Sequence, residues 1–248
     1  MISALELLGK YSATFRRMIN SKVWGSDETI KQLLKLNKNE DWDFLTAAMD
    51  IVDDASSAIG NVQRFGLSGP TKYDETGEKY LRLYGLLSAT YIQQQSILTI
   101  YRIMNVPDPK KLKEKFDALK IRELRHKLSS HSTDYINLEA NVMEAYVPLR
   151  LDLRDNEVTA VQYSYPVNHD KINILDAIES HTRLMIDTMD EVIEKSIGTI
   201  FKGHDKKQAE FSEQLSDLRI EKHGGFVLGS GTGSKIVVTF VESKPRAT

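Results

Sequence analysis

The chain has no cysteine. That removes disulfides, thiolate zinc sites and a cysteine nucleophile, and it fits a reducing compartment. Net charge is scarce too: 33 Lys and Arg face 35 Asp and Glu, a formal charge of −2. No whole-molecule field favours nucleic acid or a membrane, so a polyanion site must be a local patch. Long apolar runs are missing. The most apolar stretch, YGLLSATYIQQQSILTIY, is broken by three glutamines and makes a poor membrane span. The N-terminal MISALELLGKYSATFRRM lacks a basic leader and a cleavage site, so it does not read as a signal peptide. These absences predict a cytoplasmic protein with no membrane partner.

What is present is helical periodicity, in a chain of 248 residues that suits one domain or one domain with an appendage. Residues 2–20 predict a first helix, and Ser26-Asp27 could cap a short second one. Residues 42–66 predict a long helix with Ala47, Ile51, Ala55 and Ile59 on one stripe and Gly66 at its stop. After the loop LSGPTKYDETG, with a helix start near Asp74 to Glu78, residues 76–105 form the longest candidate helix. It is apolar around nearly its whole circumference and therefore central. NVPDPKK ends it, a lysine-rich helix follows, and another runs from Ile121 to Val142. VPLRLDLRDNEVTAVQYSY alternates with period two around an Asp-Asn turn and predicts a β-hairpin. Residues 170–202 return to helix, as do 205–221. The tail FVLGSGTGSKIVVTFVES reads as two strands around a glycine-rich turn. The expected fold is mainly α, with a helical bundle over residues 1–205 that carries a β-hairpin insertion near 146–166. A C-terminal helix and hairpin make an extension over residues 206–248.

Several chemical motifs fail on inspection. GSGTGSK lacks the glycine–lysine spacing of a phosphate loop and leads into a strand, so no helix N-terminus faces a phosphate. Gly-x-Ser-x-Gly and His-Glu-x-x-His are absent. Glu123 and His126 have the Glu-x-x-His spacing of di-iron bundles, but no second copy exists. Acidic groups at Asp50, Asp53 and Asp54, and at Asp190 to Glu194 with Glu210 and Glu213, read as solvated helix faces. The expectation is no metal and no cofactor. His169, His181, His204 and His223 are isolated.

RELRHKLSSHSTDY, residues 122–135, concentrates the remaining chemistry. Ile121, Leu124, Leu128, Tyr135 and Leu138 form an apolar seam at three- and four-residue steps, and His131 falls on it. His131 therefore reads either as a half-buried core histidine or as a working one. On one straight helix Arg125 and His131 would point ~120° apart. Between Lys110 and Lys127, eight Lys or Arg stand against three acids, a local patch that attracts phosphates.

Arg125-His126-Lys127-Leu128-Ser129-Ser130-His131 resembles the signature of the HEPN superfamily of helical bundles: an arginine, a polar residue, and a histidine after four to six intervening residues, here five. The long helix before it adds to the likeness, which covers roughly residues 76–140. The resemblance implies a metal-independent endoribonuclease with RNA as substrate, acting as a homodimer with a composite active site and leaving 2′,3′-cyclic phosphate ends. A toxin or defence role, with an inhibitory protein partner, goes with it. The site it implies puts His131 in acid–base catalysis and Arg125 on phosphate. His126, Asp134 and Tyr135 support them, and Lys120, Arg122 and Lys127 contact nucleic acid. Some members are instead non-catalytic modules that bind nucleotide, nucleic acid or protein. A third reading, a metal-dependent helical nucleotide hydrolase, would use the acidic groups.

Overall fold

The computed structural model describes residues 2–25, 27–71, 75–137, 140–154, 156–163, 166–229 and 236–239. Among these it is mainly helical, with small antiparallel sheets. Helix α1 (Ala4–Val23) starts at a capping box in which Ser3 and Glu6 satisfy each other's free backbone donors. The short α2 (Ile30–Leu34) has the same device, built from Thr29 and Gln32 rather than from Ser26-Asp27. Helices α3 (Asp41–Phe65) and α4 (Thr76–Ile103) pack along one another, then α5 (Pro109–Asp117) and α6 (Lys120–Arg125) follow. The buried stripe of α3 runs through Leu45, Ala48, Val52, Ala55, Ile59 and Val62. Ala47 and Ile51, expected on that stripe, face solvent: one face covers only part of the turn, and it is phased on Ala48 and Val52, one residue later.

The helix expected from Ile121 to Val142 breaks early. After α6 the backbone widens into a π-turn (His126–Ser130) and leaves the helix at His131, with φ −131° and ψ 40°. Serine and aspartate side chains in SSHSTD compete for backbone groups and favour such an exit. A hairpin, β1 (Tyr135–Asn137) with β2 (Val142–Glu144), occupies the rest, and Leu138 lies outside the described residues. The second β unit has three strands, not two: β3 (Tyr146–Pro148), β4 (Glu157–Gln162) and β5 (Asn168–Asn173). β4 is central and buried from Val158 to Val161. β5 was expected as helix from residue 170, but the helix begins only after Asn173, whose side chain accepts from the backbone N–H groups of Leu175 and Asp176.

Helices α7 (Ile174–Ile200) and α8 (Asp205–Lys222) complete the bundle, and β6 (Phe226–Leu228) with β7 (Ile236–Val238) forms the expected C-terminal hairpin. The glycine-rich turn between those strands lies outside the described residues. Helix α8 shares the main core: Phe211, Leu215 and Leu218 pack with α1 and α7. A partly buried ion pair pins it there. Arg219 forks onto Asp190, which also accepts from the Tyr11 hydroxyl at 2.9 Å. Burial pushes the Asp190 carboxyl up, but the hydrogen bonds from Arg219 and Tyr11 outweigh it and hold the group below its ordinary range.

The core divides into two apolar clusters. One joins α1, the first half of α3, the second half of α4, α5, α7 and α8. The other joins the second half of α3, the first half of α4, α6, the three-stranded sheet and the start of α7. Between them lies a polar seam made by Gln93, Gln94 and His181, each 0% exposed. No helix among the described residues is long and apolar enough to cross a membrane.

Candidate functional site

The π-turn makes the site. In an α-helix, residues five apart point ~140° away from each other. Here the His131 N–H donates to the His126 carbonyl at 2.9 Å, closing an i to i+5 ring that brings both side chains to one side. Their imidazoles lie nearly parallel, 20° between planes, with centroids 6.0 Å apart. Both line an open cavity of about 600 Å³, together with Glu123, Lys127, Asp134, Tyr135, Ile136, Asn137 and Tyr146. That volume falls in the usual range for small-molecule sites.

The structure does not place His131 in the core: its side chain is 52% exposed, and its Nδ1 stands 3.4 Å from Asp134 Oδ1. The helical seam ends with Ile121, Leu124 and Leu128 in the core; Tyr135 packs against the same cluster from the side, but out of a strand rather than from the helix. His126 is more enclosed. Burial first, then the charges of Arg122 and Arg125 and the neighbouring His131, lower its pKa and favour the neutral ring. Tyr135 and Tyr146 meet edge to face at 5.4 Å and form an aromatic wall. Lys127 lies 4.7 Å from the Tyr146 ring centroid.

The structure does not bring Arg125 into this cavity lining. Its Cζ lies 3.6 Å from the ring centroid of Tyr91 on α4. Arg122, expected on nucleic acid, is a core residue at 7% exposure. Its guanidinium donates to Gln94 Oε1 at 2.9 Å and pairs with Asp117 at 3.0 Å, so it has no free face for a polyanion. The basic patch is largely neutralised from within. Lys120 bridges Glu123 and Asp170, Lys127 pairs with Glu123, Lys111 with Asp108, and Lys113 with Asp117. Lys127 keeps contact with the cavity; Lys120 holds α6 to β5 from outside it.

Behind the site runs a connection that the sequence reading missed. Arg122 can only donate, so Gln94 must turn its oxygen to it and its amide nitrogen to His181 Nδ1, 3.2 Å away. The proton of His181 then sits on Nε2, which donates to Gln93 Oε1 at 2.7 Å. Gln93 passes its own N–H to the Val52 carbonyl and to Ser56. An arginine that only donates and a carbonyl that only accepts fix the direction of the whole chain. Adjacent glutamines in the middle of an otherwise buried helix were the available signal.

Several of the acidic groups are held in ion pairs. Arg16 holds Asp50 and Asp53, and Arg219 holds Asp190 and Glu194. No group of three or more His, Asp or Glu placed to hold a metal ion occurs among the described residues. Comparison with family models, with curated proteins and with solved structures gives no match.

Proposed function

We propose that the cavity cleaves RNA without a metal ion, by attack of a ribose 2′-OH on the adjacent phosphorus, leaving 2′,3′-cyclic phosphate ends. The observation that carries this reading is the stacked pair His126 and His131 in one open cavity. Histidine is the side chain best matched to proton transfer near neutral pH. The order arginine, polar residue, histidine, which resembles the HEPN signature, supports the same chemistry. In this reading His131 does acid–base work with Asp134 beside it, and Tyr135 and Tyr146 offer a face to a base. Arg125 stacks on Tyr91 outside the cavity wall, so it meets phosphate most directly across a two-fold axis, from a second copy of the chain. The toxin or defence role, and an inhibitory protein partner, belong to the same proposal.

The engagement of both arginines favours a second reading, a non-catalytic nucleotide-binding module that uses the aromatic wall. Cleavage of a mixed RNA pool in EDTA separates the two. Wild type should cut and leave cyclic phosphates, and Arg125→Ala and His131→Ala should not. Folded wild type that binds nucleotides but cuts nothing would establish the module instead.

A further inference from the structure

Resting on the ribonuclease reading, we propose that His126 is a second catalytic histidine: it takes the proton from the 2′-OH, while His131 gives one to the leaving oxygen. Two positions in the fold divide the work. His126 sits on the inner wall of the cavity, at the first position of the π-turn, and His131 sits at the rim, one widened turn later. The two rings face the same space from one side, 6.0 Å apart between centroids. A base and an acid acting on one phosphodiester must each come within ~2.6–3.2 Å of a different oxygen of that group. The rings stand side by side on one wall of the cavity, so a single phosphodiester laid across their open edges can present its attacking oxygen to one and its leaving oxygen to the other.

The surroundings match the roles. A base must start neutral. Burial and the cationic groups of Arg122 and Arg125, with His131 alongside, disfavour a proton on His126, and Asp117 opposes them only weakly. An acid must start with its proton and be re-protonated after each turnover. His131 is open to solvent, and Asp134 Oδ1 stands at ion-pair distance from its Nδ1, leaving Nε2 for the substrate. In the step, the 2′-OH proton passes to His126 and the 2′ oxygen bonds to phosphorus. The bond from phosphorus to the 5′ oxygen breaks, and that oxygen takes the proton of His131. A cyclic phosphate and a free 5′-OH result, with no other reactant. Solvent then resets the two rings.

Leaving-group chemistry separates base from acid. The para-nitrophenyl 3′-phosphates of the four ribonucleosides expel a phenolate that needs no proton. Against RNA, His126→Ala and His131→Ala should each lose about 10²–10⁴-fold in kcat/KM. Against the nitrophenyl esters, His131→Ala should recover to within about tenfold of wild type, whereas His126→Ala should stay down by the full factor. His126→Gln, which keeps polar contacts but cannot accept a proton, should behave as His126→Ala and guards against a folding defect. Equal losses on both substrates for the two histidines, or wild-type cleavage by His126→Gln, overturn the division of labour and leave the ribonuclease reading standing. Wild type that turns over neither RNA nor the esters, although folded, removes that reading and this one with it.

Discussion

Arg125 lies over the ring of Tyr91, its Cζ 3.6 Å from the centroid, and Arg122 approaches the same ring at 4.8 Å. One aromatic side chain on α4 thus gathers two cations from α6, beneath the turn that carries both histidines. Partial burial lowers the Arg125 pKa, and the charge of Arg122 adds to that, while Tyr91 opposes it. The ring compensates part of the cost of bringing two like charges together. Tyr91→Leu should therefore cost about 1–2 kcal/mol in stability and Tyr91→Phe well under half of that. Urea unfolding midpoints measure both. Equal losses would mean that the hydroxyl, not the ring face, holds the arginines.

Arg122 behaves in the fold as a structural group, although its place in a basic segment suggested a contact with nucleic acid. Removing it leaves the Gln94 oxygen without its donor and Asp117 with only Lys113 as a cation partner. Asp117 is partly solvated, so the loss should be moderate. Arg122→Leu should cost about 2–4 kcal/mol. If the chain binds RNA, the slope of log affinity against log salt should stay at the wild-type value, since no phosphate contact is lost. A shallower slope by about one unit would return Arg122 to the nucleic-acid surface.

His181 gives the fold a pH dependence with a defined sign. Burial lowers its pKa to about 3 in the folded chain, against ~6.5 in an unfolded one. Below pH 6.5 the unfolded chain binds a proton that the folded chain refuses, so stability falls as the pH falls. The loss is about 1.4 kcal/mol per pH unit between roughly 6.5 and 3, and above that window the ring contributes no slope. Carboxylates such as Asp190 also titrate at the acid end of that range, so the clean measurement is a difference. The stability of wild type minus that of His181→Gln, from denaturant melts at pH 7, 6, 5 and 4, should shrink steadily with acid. A flat difference would mean that the folded ring takes up the proton, and that the direction of hydrogen bonds from Arg122 to Val52 is not fixed.

Much of the bundle was legible because its signals are local. Gly66 ends α3 with its N–H on the Val62 carbonyl, and NVPD separates α4 from α5, which opens at Pro109. β5 was hidden because NHDKIN is an edge strand with mostly exposed polar residues and carries no alternation of apolar side chains. The π-turn was hidden for a different reason. Ile121, Leu124 and Leu128 have ordinary helical spacing, and nothing in the side chains that follow marks where the hydrogen bonds lengthen by one residue. His126 and His131 could be picked out by type, but their pairing could not, since α-helical spacing sets them on different faces. Arg125 was placed by the motif in the cleft; its partner Tyr91, 34 positions earlier, becomes visible only when α4 and α6 are packed together.

Because one widened turn sets the pairing of the histidines, its length should be testable directly. Ser129 is exposed, lies after the last buried anchor, Leu128, and makes no side-chain contact that the site uses. Inserting one alanine after it puts the two histidines six residues apart, which on α-helical bonding turns His131 ~120° away from His126. The insertion should keep the circular dichroism of wild type and lose RNA cleavage by about 10²-fold or more, the loss expected when a catalytic group is misplaced by an ångström or more. Ser129→Ala, which keeps the length, should cleave as wild type does. Activity retained in the insertion would show that the two rings act independently, and the stacked pair would then be a consequence of the turn rather than its purpose.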